Sequence, residues 1–126
     1  MKIIWLGHGS FRFETEGKVL LLDPWLTGNP SLPEDQHDAA IEGATHIILT
    51  HVHFDHVVEM LPLAKKLNIP VVGQYDIMGF WGETEGVETV GFNKGGTVDL
   101  GGPKLSMVPA SHSSTFATPE GPRTGG

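Results

Sequence analysis

Four side chains able to bind a metal ion lie within Thr50-His51-Val52-His53-Phe54-Asp55-His56, three of them imidazoles and one a carboxylate. The apolar run Ile47-Ile48-Leu49 directly precedes them, so a strand is expected to run into a loop that presents the cluster. In an extended segment, residues two apart point the same way. His51 and His53 then converge on one ion, Asp55 falls on the same side, and His56 points elsewhere. The spacing suits two neighbouring ions, with His51 and His53 on the first and Asp55 and His56 on the second. Imidazole and carboxylate without thiolate favour Zn(II), and Mn(II) or Fe(II) are compatible. Metal binding lowers the pKa of bound water to ~7, which makes it a nucleophile at neutral pH. Packing alone does not call for such a cluster, whereas a binuclear metal site does.

The elements that must position it are short. Ile3 to Leu6, Ser10 to Thr15 and Val19 to Leu22 read as three successive strands, the second by its period-two alternation of Phe11 and Phe13 with Arg12 and Glu14. Their close succession predicts an antiparallel meander. Asp23-Pro24 ends the third strand, because proline cannot donate to a ladder. Residues 24–44 carry Pro24, Pro30 and Pro33 and read as a long loop with one helical turn. His46 to Leu49 is the strand feeding the histidines. Helices are expected over Leu61 to Leu67 and Tyr75 to Thr84, with strands at Pro70 to Gly73 and Val87 to Val90. Thr97 to Leu100 and Lys104 to Val108 form a hairpin, and the Gly-, Pro- and Thr-rich tail from Thr115 to Gly126 reads as loop. The expected class is α/β (α+β), a mostly antiparallel sheet with helices on one face and the other face needing a partner.

A chain of 126 residues forms one domain at most, residues 1–126. Its formal net charge of −7 argues against nucleic acid or an acidic membrane as partner. With no cysteine, disulfides, thiolate metal sites and cysteine nucleophiles are excluded. The start Met1-Lys2-Ile3-Ile4-Trp5-Leu6-Gly7 is too short and interrupted for a signal peptide, and nothing approaches a membrane span, so a cytoplasmic enzyme is expected.

His51-x-His53-x-Asp55-His56 resembles the signature of the metallo-β-lactamase fold superfamily. Leu6-Gly7-His8, Leu22-Asp23-Pro24-Trp25-Leu26-Thr27-Gly28-Asn29-Pro30 and Met107-Val108-Pro109-Ala110-Ser111-His112-Ser113-Ser114 are similar to its UlaG-like branch of metal-dependent hydrolases. The resemblance implies that His51, His53 and His112 bind one metal and that Asp55 and His56 bind the second. Asp55 is also the candidate catalytic residue. It further implies that Asp23 orients the metal loop from behind and that His8 lies near the mouth of the site. Family members are roughly twice this length. Their second half carries a bridging aspartate and a final histidine ligand. This sequence has no aspartate after Asp99 and no histidine after His112, so it resembles the N-terminal half of the four-layer αβ/βα sandwich. The implied activity is hydrolysis of a small-molecule ester, amide or phosphodiester, with up to two divalent ions. Two other expectations stand beside it. One is a metal-binding fragment without turnover. The other is a half-domain that assembles with a separate C-terminal half or with another copy of itself.

Other chemistry-bearing residues receive plainer readings. His37, in a proline-rich loop, and His46, opening a strand, are expected to be non-ligands. Trp5, Trp25 and Trp81 are expected to pack. Ser113 and Ser114 lack a legible acid–histidine relay and are expected to hydrogen-bond the metal loop.

Overall fold

The computed structural model describes residues 1–125. Six strands form one sheet in sequence order: β1 (Lys2–Gly7), β2 (Ser10–Thr15), β3 (Lys18–Leu22), β4 (His46–Ile48), β5 (Val71–Gln74) and β6 (Thr89–Phe92). β1, β2 and β3 form the expected antiparallel meander, with the register Trp5–Phe11 and Phe13–Leu20. From β3 onward the pairing is parallel, β3 to β4, β4 to β5 and β5 to β6. The expectation of a mostly antiparallel sheet therefore holds for the first half only. Parallel neighbours need a crossover of a dozen or more residues. Here the crossovers carry α1 (His37–Ile41), then α2 (Phe54–Val57) and α3 (Met60–Leu67), then α4 (Tyr75–Glu85). The helical turn expected in residues 24–44 is α1, preceded by a 3-10 turn over Glu34–Gln36.

α1, α3 and α4 pack on one face of the sheet. Ile41, Met60, Leu63, Ile77, Met78 and Trp81 meet Leu21, Ile47 and Val71 there. Neighbouring residues on the same strands, Leu20, Ile48 and Val72, point to the opposite face. A separate hairpin of β7 (Thr97–Asp99) and β8 (Lys104–Ser106) covers part of that face with Val98, Leu100 and Leu105. The cover does not extend to the β1 edge, where Ile3 and Trp5 remain 59% and 60% exposed.

The alternation in β2 has an unexpected sense. Arg12 is buried on the helix face, whereas Phe11 and Phe13 are half-buried on the other. Its guanidinium donates to Glu14 and to the carbonyls of Ala40 and Glu42 at the end of α1. The end of a helix leaves carbonyls without intrahelical partners, and a cation there satisfies both their lone pairs and the helix dipole. The tail also differs from the expected loop. β9 (Thr115–Thr118) and β10 (Gly121–Thr124) form a hairpin whose Phe116 packs against Phe80 and Trp81 of α4.

Leu21 is fully buried in the central strand. Leu21→Ala is expected to lower unfolding free energy by about 2–5 kcal/mol, and Ile3→Ala by no more than ~0.5 kcal/mol, as read by denaturant titration. Burial holds the His46 imidazole below its ordinary value of 6.5. An unfolded chain then binds more protons than the folded one as pH falls through that value. The contribution of His46 is complete above its unfolded pKa and is lost on acidification. His46→Gln is expected to lose less stability than the wild type between about pH 7 and 5, measured by thermal melts across that range.

Candidate metal centre

Parallel pairing of β3 with β4 aligns Leu22 with Ile48, so the residues following both strands emerge side by side. Asp23 is the first of them. It is 2% exposed and has a φ of 42°, a left-handed conformation uncommon for a non-glycine residue. Burying a carboxylate is costly unless hydrogen bonds replace water. Asp23 accepts from the Thr50 backbone N–H at 2.8 Å, from the Thr50 hydroxyl and from His56 Nδ1 at 2.7 Å. Thr50 Oγ1 also lies 2.9 Å from His51 Nδ1. One carboxylate thus fixes His56 directly and His51 through Thr50, and turns the Nε2 edges of both rings away from it.

His51 to His53 carry no regular structure, His53 being extended at ψ 150° as the residue preceding α2, into which the chain then turns. The expected extended run therefore stops at His53. Asp55 does not join the side of His51 and His53, because a helical turn replaces the period of two. Three groups of converging donors result: His51, His53 and His112; His8, Asp55 and His56; and Asp23, His51 and His56. In each, the donor atoms lie within 4.8 Å of one another. His51 Nε2 and His53 Nδ1 are 3.0 Å apart, and the His112 ring centroid is 4.8 Å from that of His51 and 4.9 Å from that of His53. Asp55 Oδ2 is 3.6 Å from His56 Nε2 and 2.6 Å from His8 Nε2. The rings of His51 and His56 lie tilted at 49° with centroids 4.1 Å apart, so the groups are contiguous.

Proximity moves the two neighbouring imidazoles in opposite directions. Burial and then the nearby His56 lower the pKa of His51. The hydrogen bond to Asp23 raises that of His56 despite burial. Burial pushes the Asp55 carboxyl up, but the hydrogen bond to His8, its own backbone N–H and His56 together hold it below the ordinary value.

The segment carrying His112 has no regular structure, and Ser114 anchors it. The buried Ser114 Oγ accepts from the Val52 backbone N–H at 3.1 Å, while Ser113 Oγ lies 3.4 Å from His53 Nε2. Trp25 is half-buried, with its ring edge-on to His8 at 5.5 Å. His37 and His46 lie outside the cluster, near the Leu32 carbonyl and the Thr45 hydroxyl.

Sequence reasoning missed several supports. Gly9 is required because a Cβ there would lie 2.8 Å from His56 Cε1. Its signal was present in Gly7-His8-Gly9. Glu59 ties the loop after Asp23 to the end of α2, accepting from the backbone N–H groups of Leu26 and Thr27. Asn29 donates to the carbonyls of Leu6 and Trp25. The Glu59 contacts and the Asn29–Leu6 bond have no signature in the sequence, because those partners are remote along the chain.

Asp23→Asn tests the supporting network. The amide cannot accept from both Thr50 and His56, so His56 is expected to move its proton to Nε2 and lose its donor lone pair. Cation affinity should fall about 10–100-fold, read by titration with Zn(II) while circular dichroism reports the fold.

No helix among the described residues is long and apolar enough to cross a membrane. Among proteins of known structure, this fold is similar to a metallo hydrolase of Ignicoccus hospitalis, with a TM-score of 0.76 and 24% identity over 89% of this chain and 49% of that one. It is also similar to the diiron β-hydroxylase CmlA of Streptomyces venezuelae, with a TM-score of 0.68 and 21% identity over 85% of this chain and 23% of that one. In sequence, a UPF0173 metal-dependent hydrolase of Ruegeria pomeroyi is 74% identical across 100% of this chain and 55% of its own length. A relative of the same description from Dinoroseobacter shibae is 59% identical over the same shares. The chain spans about half the length of the curated relatives it matches. The model of the Metallo-beta-lactamase superfamily matches residues 4–124, and the chain belongs to that superfamily.

Proposed function

We propose that this chain supplies the metal-binding part of a metal-dependent hydrolase of the UlaG-like kind, acting on a small-molecule ester, amide or phosphodiester. The observation that carries this reading is the convergence of His51, His53 and His112 from two separate segments, with donor atoms within 4.8 Å. The donor set fits a cation. Imidazole nitrogens sharing one ion at about 2.0–2.1 Å sit roughly 3–3.5 Å apart, and His51 Nε2 and His53 Nδ1 are 3.0 Å apart. Nitrogen and oxygen donors without sulfur suit Zn(II), and also Mn(II) or Fe(II). His51, His53 and His112 hold the first ion in this reading, and Asp55 and His56 hold the second. A bound divalent cation acts as a Lewis acid and makes water a nucleophile at neutral pH.

The protein's own part is orientation. Asp23 and Thr50 hold the Nδ1 sides of His56 and His51, leaving the opposite nitrogens available. Ser114 fixes the backbone between His51 and His53. Asp55 stands half-exposed at the mouth, where its carboxylate meets both ion and substrate. The close relative is longer, with 55% of its length matched. Its remaining length supplies the other sheet, a bridging aspartate and a last histidine in this reading.

A second reading is favoured by the bare β1 edge. Ile3 and Trp5 are exposed beside the half-buried Phe11 and Phe13 with which they pair. Such a strip suits a half-domain that mates with a complementary half or with another copy of itself. Light scattering on the purified chain separates the cases, because a stable monomer with a cooperative melt argues against pairing.

The test of the leading reading is metal content with turnover. The chain, stripped by chelator and reloaded with Zn(II), Mn(II) or Fe(II), is expected to bind a cation and to cleave p-nitrophenyl esters or bis-p-nitrophenyl phosphate. His51→Ala and His112→Ala should each weaken binding of the first ion at least ~100-fold and abolish turnover. Failure to retain any of these metals would sink the reading. Binding without turnover would leave a silent metal-binding fragment.

A further inference from the structure

His8 occupies the tip of the β1–β2 hairpin, in the two-residue connection His8-Gly9 between Gly7 and Ser10. Three features of that turn direct its ring at the metal loop. Gly7 takes a φ of 102°, and a Cβ there would lie 2.6 Å from Asn29 Oδ1, so the Asn29 amide packs directly on the turn. His8 itself has a φ of 52°, a left-handed conformation that an L side chain adopts at a cost. Gly9 leaves room for the His56 ring, as described above. The Trp5 indole N–H donates to the His8 carbonyl at 3.0 Å, and Trp25 stands edge-on to the imidazole.

The ring ends with Nε2 2.6 Å from Asp55 Oδ2, and His56 Nε2 is 3.6 Å from the same oxygen. Stability does not account for this arrangement. The His8 and Asp55 side chains are 45% and 42% exposed, and an ion pair in that much water contributes little. The result is a site of two imidazoles and one carboxylate whose donor atoms converge within 4.8 Å.

We propose that His8 is a metal ligand, forming with Asp55 and His56 a three-residue site for a second divalent cation beside that of His51, His53 and His112. The inference rests on the metal-dependent reading above and extends it. In that reading Asp55 and His56 alone hold the second ion on this chain, and a two-donor site is weak. His8 brings this chain's set to two nitrogens and one oxygen, with the remaining positions left to the ligands of the longer relative's other half, water and substrate. Such a set suits Zn(II), and equally Fe(II) or Mn(II).

The alternative is a positioning role, in which His8 keeps a proton on Nε2 and donates it to Asp55. The two are separated by nuclear magnetic resonance on the whole chain, labelled with nitrogen-15 at histidine and loaded with cadmium-113. A ligand shows scalar coupling between cadmium and its ring nitrogen. Coupling is expected at His8 and His56 on one cadmium and at His51, His53 and His112 on the other, with about two equivalents bound. His8→Gln should lose one equivalent while the couplings of His51, His53 and His112 persist, which also shows that the variant is folded. The wild-type couplings decide the matter if that variant does not fold. A protonated, uncoupled His8 Nε2 in a cadmium-loaded chain overturns the proposal and leaves the hydrolase reading standing. A chain that binds no cadmium at His51, His53 or His112 overturns both.

Discussion

The buried carboxylate of Asp23 is the constraint on which the site depends. At 2% exposure it cannot rely on water, so its three hydrogen bonds are obligatory. Their partners are the backbone and hydroxyl of Thr50 and the ring of His56. Together they bind the end of β3 to the end of β4 and both to the first turn of α2. Removing one partner of such a network leaves a buried polar group unsatisfied, which costs more than the bond itself contributes. The loop carrying His51 and His56 is therefore held from the interior of the protein.

The parallel half of the sheet explains why the candidate ligands gather where they do. Strands joined by helical crossovers run in one direction, so their carboxyl ends lie along one edge, and open α/β sheets place their functional loops there. Asp23 follows β3 and the histidine cluster follows β4. His112 reaches the same edge from the irregular segment after β8, held by the bond from Val52 to Ser114. His8 follows the carboxyl end of β1, which runs in the same direction as β3 because both are antiparallel to β2. Mixed pairing in one sheet thus lets a hairpin turn and the strand ends meet at a single place.

Legibility in the sequence followed the range of the interaction. The β1–β3 meander was readable because alternation and turn residues are local. Parallel pairing was not, since it depends on how crossovers wind and not on any residue within the strands. Arg12 occupies an alternating position that reads as solvent-facing, and only the carbonyls at the end of α1 explain its burial. The β9–β10 tail lacks an apolar pattern apart from Phe116, and its order depends on the aromatic surface of α4. Asp55 departs from the period of two because α2 begins at Phe54, and its carboxylate groups with His56 and not with His51 and His53.

The sequence by itself determined which donors are available: closely spaced imidazoles and a carboxylate, no thiol, and an acidic net charge. Those are properties of side chains and of short-range spacing, and no fold alters them. The tertiary structure alone decided how the donors are grouped. His112 joins His51 and His53, and His8 joins Asp55 and His56, across separations along the chain that spacing does not encode. The physical reason is that such groupings are set by strand register, by the crossovers and by a buried carboxylate that must find its partners, all of which exist only once the chain has packed.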